Sequence, residues 1–188
     1  QRFQDPKIWS DATYRDRYKD IEAVLNEALR GKSFQGLTID RSRIGLAGHS
    51  LGGYTVLGLA GGWRSWKDPR IKAVLALSPY CTPYLDHGSL AFGVPVMFQG
   101  GTRDFGITPF VRRVDGAFDR TSAPKYYVEL DGAGHFAWTN LNAKYQETID
   151  TYSVAFFDRY LKALTPNPLT PLLTKPYGKD VSAVQAAE

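Results

Sequence analysis

Four short apolar runs, three of them followed by a helical pattern, constrain this chain more than any other feature. They are residues 42–48 (RIGLAG at the centre), Ile71–Leu77 (IKAVLAL), 94–99 (VPVMFQ) and Lys125–Leu130 (KYYVEL). Each is continuous rather than alternating, as in strands buried on both faces. Pro95 is tolerable because it stands near a strand start. Tyr18, Ile21, Leu25 and Leu29 mark an apolar helical stripe near the start of the chain. Thr13 with Asp16 reads as a variant capping box for that helix, and Gly31 as its stop. Residues 51–62 read as helix despite their glycines, because helix and sheet must pack closely there. Residues 108–120 read as a helix starting near Pro109. Residues 143–164 form the last one, with Tyr145, Ile149, Tyr152, Phe156 and Tyr160 on its buried face. Strands alternating with helices predict an α/β fold, a parallel sheet flanked by helices with right-handed crossovers.

Composition narrows the function. With 188 residues, 43% apolar and 22% charged, the chain suits a single globular domain. Its core is expected over 42–164. A tail over 165–188, carrying Pro166, Pro168, Pro171 and Pro176, is expected to be extended, wrapped on the surface or loose. The net charge of +4 comes from basic residues spread along the chain, without the basic stripe and stacking aromatics of a nucleic-acid binder. Cys81 stands alone, so no disulfide framework exists within the chain. His49, His87 and His135 lie far apart and show no metal-ligand spacing with it. No apolar run reaches the roughly 20 residues of a membrane helix, and no secretory apolar region stands at the N-terminus.

The chemistry centres on Gly48-His49-Ser50-Leu51-Gly52-Gly53, which follows a predicted strand and opens a predicted helix. That is the context of the G-x-S-x-G nucleophile elbow. A serine on such a turn sits at strained φ/ψ, and side chains beside it would collide with the turn. The Leu51 N–H then points to where an oxyanion would form, at a helix N-terminus with partial positive charge. A serine hydroxyl needs a base, and the base an orienting carboxylate. Gly100-Gly101-Thr102-Arg103-Asp104 follows the third strand, and Asp131-Gly132-Ala133-Gly134-His135-Phe136 the fourth. An acid and a histidine thus sit beyond strand C-terminal ends, where sites gather in open α/β sheets. The order Ser, Asp, His is the one this kind of fold uses.

GHSLGG, the GGTRD loop and GAGH resemble the α/β-hydrolase family. Within it, they are similar to the branch of dienelactone hydrolases, platelet-activating-factor acetylhydrolases and related bacterial carboxylesterases and polyester hydrolases. The resemblance covers Ile44 to Leu164. It implies that Ser50 is the nucleophile, His135 the general base and then acid, and Asp104 the orienting carboxylate, with Leu51 in the oxyanion hole and no cofactor or metal. The substrate would be a small-molecule or lipid-like ester. Rivals weigh less. Asp131, so near His135 in sequence, reads as a turn residue, and Asp86 after the second strand as a weaker candidate acid. His49 reads as a packing residue, His87 as a loop residue and Cys81 as a small buried or loop residue. Of the aromatics Trp63, Trp66, Tyr80, Phe105, Phe110, Phe136 and Trp138, most read as core. Tyr80, Phe105 and Phe136 border the strand ends and are candidate substrate-binding residues.

The family normally places about four strands before the elbow and draws a second oxyanion amide from a loop there. Here 49 residues precede Ser50, with one clear helix and no HG pair. The chain opens on Gln1 rather than Met, so an upstream segment is expected. Three accounts are open: a C-terminal piece of a cleaved or truncated hydrolase, a reduced hydrolase completed by self-association, or an inactive remnant. An unpaired first strand predicts a homo-oligomer or association with a missing N-terminal chain. The expected function is a serine carboxylic-ester hydrolase acting through an acyl-enzyme. The alternative is a non-catalytic hydrolase remnant that binds a partner chain or hydrophobic ligand.

Overall fold

A computed structural model describes residues 5–31 and 36–188. The four expected strands are present and a fifth joins them. β1 (Ile44–His49), β2 (Ile71–Leu77), β3 (Val96–Gly101) and β4 (Lys125–Leu130) are parallel neighbours in chain order. β5 (Val181–Ala187) closes the far edge antiparallel to β4. The helices are α1 (Arg15–Ala28), α2 (Leu51–Leu57), α3 (Thr82–Asp86), α4 (Thr108–Arg112), α5 (Ala117–Arg120), α6 (Gln146–Tyr160) and α7 (Thr170–Thr174). This is the α/β architecture expected of a hydrolase-type sheet, with β1 on an edge.

Both faces of the sheet are covered, and the two-residue period of the strands sorts its side chains between them. Val74 and Ala76 of β2 and Val96 and Phe98 of β3 pack with Tyr54 and Leu57 of α2. Their neighbours Ala73, Leu75 and Met97 face the other way, against Ile149, Tyr152 and Phe156 of α6. Each large apolar side chain so buried contributes about 1.5–3 kcal/mol. β3 is buried along its whole length.

Several boundaries differ from the sequence reading, for local reasons. Thr13 does not cap α1: the position before the helix is Tyr14 in the left-handed region (φ 55), and the Thr13 hydroxyl oxygen accepts the Ser10 N–H at 3.1 Å. α1 ends at Ala28, before Gly31. β3 starts after Pro95 and runs on through Gly100 and Gly101. The expected helix over 108–120 breaks into α4 and α5, because Asp115 turns at φ 57 and Gly116 N–H closes on Arg113 O at 2.8 Å. The 143–164 helix begins as a 3-10 turn and is α-helical from Gln146 to Tyr160. The tail is neither loose nor merely extended. Leu169 is fully buried, α7 follows, and Val184 sits opposite Val128 in the β4–β5 ladder.

Candidate active site

The strand ends converge. β1 delivers Ser50, β2 delivers Ser78, the loop after β3 delivers Asp104 and the loop after β4 delivers His135. Ser50 takes φ 56, ψ −115, a region costly for a residue with a side chain. The surroundings hold it there. Its N–H donates to Leu77 O at 3.0 Å, and its carbonyl accepts from Tyr54 N–H at 3.1 Å and Tyr80 N–H at 3.0 Å. The glycines flanking the turn are not equivalent. A Cβ on Gly48 would stand 2.3 Å from Gly52 O, and one on Gly53 2.5 Å from the Pro79 ring, whereas one on Gly52 would meet nothing within 4 Å. Leu51 opens α2, where a backbone N–H has no intrahelical acceptor.

His135 starts a 3-10 turn, His135–Trp138, behind Gly134. Its Nε2 lies 2.8 Å from Ser50 Oγ. Its Nδ1 lies 3.3 Å from Asp104 Oδ1, and Asp104 is 4% exposed. Asp104 is fixed from its own loop: its carbonyl accepts Thr108 N–H at 3.0 Å, and its Oδ2 accepts the Thr108 hydroxyl at 3.3 Å. The two loops touch closely. A Cβ on Gly101 would stand 2.2 Å from Ala133 O, so glycine there lets the acid and histidine loops approach.

The three residues read from the sequence are therefore together, and a fourth lies among them. Ser78, directly after β2, hydrogen-bonds Asp104 Oδ2 and sits 2.9 Å from His135 Nδ1. No motif announces it; the available signal is its place just past a buried strand, beside the end of β3. Chemically the set can accept a proton from the Ser50 hydroxyl on Nε2 while a carboxylate faces the opposite side of the ring.

The rival residues lie elsewhere. Asp131 is exposed and belongs to a turn, accepting the Thr102 hydroxyl at 3.2 Å and donating its N–H to Asp180 O at 2.6 Å. Asp86 ends α3, and His87 Nε2 bonds the Lys7 carbonyl. Cys81 is buried, and that burial pushes its thiol up to about 12. His49 packs beside the site, its ring 4.8 Å from that of His135 and 6.3 Å from Trp138. Of the expected substrate-binding aromatics, Phe105 and Phe136 are 79% and 62% exposed, each directly following Asp104 or His135. Tyr80 instead lies in the core, its ring 5.0 Å from Trp9. Its backbone N–H donates to the Ser50 carbonyl. Trp63 and Trp66 are core, and Trp138 N–H donates to Gln99 Oε1 at 3.0 Å. Among the described residues no group of three or more His, Cys, Asp or Glu is placed to hold a metal ion. Nor is any helix among them long and apolar enough to cross a membrane.

Comparison with known proteins places the chain among ester hydrolases by name. Cutinase est2 of Thermobifida alba is 35% identical over 172 residues, covering 84% of this chain and 52% of that protein. Cutinase 1 of Thermobifida cellulosilytica is 33% identical over 148 residues, covering 77% of this chain and 52% of that one. A bis(hydroxyethyl) terephthalate hydrolase of Streptomyces coelicolor is 28% identical over 147 residues, covering 77% of this chain and 43% of its own. The chain spans about half the length of these relatives. The family described as PETase, PET hydrolase-like, matches residues 13–166, a span holding Ser50, Ser78, Asp104 and His135. The resemblance to the carboxylesterase branch with dienelactone and polyester hydrolases thus narrows to one group, and this chain belongs to the PET hydrolase-like family.

Proposed function

We propose that this chain carries the machinery of a serine carboxylic-ester hydrolase. Ser50 Oγ attacks the ester carbonyl as His135 Nε2 takes its proton. The Leu51 N–H donates to the oxyanion of the tetrahedral intermediate. Collapse of that intermediate expels the alcohol, which receives the proton from His135 and leaves an acyl-Ser50. Water, activated by the same imidazole, then releases the acid. Asp104 orients His135 and stabilises the imidazolium. The observation carrying this reading is the 2.8 Å contact between Ser50 Oγ and His135 Nε2 on a ring whose other nitrogen faces a buried carboxylate.

The substrate class is an ester with an apolar or aromatic acyl or alcohol part, small or lipid-like. Phe105 and Phe136, exposed and next in sequence to Asp104 and His135, are the apolar groups proposed to meet it. The relatives' names point the same way, to cutinases and to a hydrolase of a terephthalate ester. A second oxyanion donor beside the Leu51 N–H would be worth about 10²–10³ in turnover.

The test is hydrolysis of p-nitrophenyl butyrate and bis(hydroxyethyl) terephthalate by the full chain and its Ser50→Ala variant, with fluorophosphonate labelling alongside. Turnover and labelling in the parent, both lost in the variant, are expected. A variant keeping more than about a tenth of parental turnover removes Ser50 from this role. A folded parent that neither turns over ester nor takes the label favours the non-catalytic remnant.

A further inference from the structure

Ser78 lies beside the contact between His135 and Asp104 and is bonded to both. It is fully buried at 0% exposure and adopts φ 40, in the left-handed region that non-glycine residues avoid. Its N–H donates to Gln99 O at 2.7 Å, which ties it to β3. Its Oγ is 2.9 Å from His135 Nδ1 and bonded to Asp104 Oδ2. The direct contact from His135 Nδ1 to Asp104 Oδ1 is longer, at 3.3 Å.

The direction of these bonds follows from the role proposed for Ser50. The nucleophile role proposed for Ser50 requires its hydroxyl to donate to Nε2 across the 2.8 Å contact, and on a neutral ring the proton then sits on Nδ1. The nearest acceptor for that proton is Ser78 Oγ, and the Ser78 hydroxyl hydrogen then points to the carboxylate. We propose that Ser78 is a positioning residue of the ester-hydrolase site, its hydroxyl linking Asp104 to His135 and holding the ring in the tautomer with Nε2 free toward Ser50. When His135 takes the Ser50 proton, its Nδ1–H bond to Ser78 shortens and the Ser78 O–H polarises toward Asp104. Each proton on this side of the ring stays on its own atom. Thr108 reinforces the chain from behind: its hydroxyl donates to Asp104 Oδ2 at 3.3 Å and accepts Gly101 N–H at 2.9 Å. The inference rests on the reading of Ser50 and His135 given above.

The test compares Ser78→Ala and Ser78→Gly in the full chain. Both remove the hydroxyl, but glycine suits the positive φ and relieves any backbone strain. Three readouts are taken: p-nitrophenyl butyrate kinetics, the rate of fluorophosphonate labelling of Ser50, and ¹⁵N NMR of the His135 ring at mildly alkaline pH. Both variants are expected to lose about tenfold to a hundredfold in kcat with little change in KM. Labelling slows in parallel. The ring nitrogens pass from a single Nδ1–H tautomer in the parent to a mixture in the variants. Parental kcat with parental ring shifts in either variant overturns the proposal. Recovery of activity in Ser78→Gly after loss in Ser78→Ala overturns it by assigning Ser78 to the backbone, and failure of both variants to fold overturns it by assigning the hydroxyl to stability. A parent that does not label overturns the hydrolase reading instead, and the tautomer comparison still decides the Ser78 link.

Discussion

His49 Nε2 lies 2.7 Å from the backbone carbonyl oxygen of His135. A carbonyl only accepts, so this nitrogen carries the proton, and the last residue of β1 holds the loop that presents the second imidazole. Burial holds the His49 ring below its ordinary 6.5, and the adjacent His135 adds to that direction, outweighing the hydrogen bond to the His135 carbonyl and nearby Asp104, which act the other way. The unfolded chain takes up this proton near pH 6.5, the folded one only at lower pH. Across that window the unfolded state binds more protons, so the stabilising contribution present above pH 6.5 is lost as pH falls. Urea denaturation across this range is expected to show a steeper acid loss in the parent than in His49→Gln. Equal slopes would remove His49 from the acid response.

The two glycines of the elbow are expected to separate cleanly. Gly48→Ala forces a Cβ to 2.3 Å from the Gly52 carbonyl oxygen, backbone that cannot step aside. A loss of about 1–3 kcal/mol or more follows. Gly52→Ala places its methyl in open space on α2 and gains up to about 1 kcal/mol in helix propensity. Denaturant midpoints of the two variants check the contrast, and comparable losses would contradict it.

Phe105→Ala and Phe136→Ala act on the site and not on the fold. Both rings are mostly exposed, so stability stays within about 0.5 kcal/mol of the parent. KM for aromatic esters rises, while KM for p-nitrophenyl acetate changes less. The check is the ratio of the two KM values, and an unchanged ratio takes these rings out of substrate binding.

Cys81 is expected to resist thiol reagents in the native state. It is 1% exposed, and burial holds the thiol up to about 12, leaving almost no thiolate near neutrality. Ellman's reagent should react only at the rate of opening or in denaturant. Prompt stoichiometric reaction of folded protein would show that the site is open.

What was legible in the sequence followed from continuity and from motifs. Ile71–Leu77 and Lys125–Leu130 are legible to the residue, because each is a mostly apolar run bounded by turn residues. Ser50, Asp104 and His135 could be brought together on paper because each follows a strand of one parallel sheet. β5 is not legible in the sequence, since VSAVQAA is short, small and weakly alternating, and it follows a proline-rich stretch. Its pairing is supplied by β4, not by its own composition. Tyr80 follows a strand end, and Trp9, from a segment without any period, packs against its ring, a contact no local pattern announces. Ser78 had no signature at all, because a serine bridging two loops is recognisable only once those loops are in place.

Because each of the four parallel strands hands one of these side chains to the same end of the sheet, their spacing is stored in the strand ladder. The opposite end, near residues 69–70, 93–95 and 122–124, lies a strand length of roughly 20 Å away. Affinity tags, linkers to a solid support or fused binding modules grafted there would leave the reacting groups undisturbed. The same cargo spliced between Gly101 and Thr108 would pull them apart.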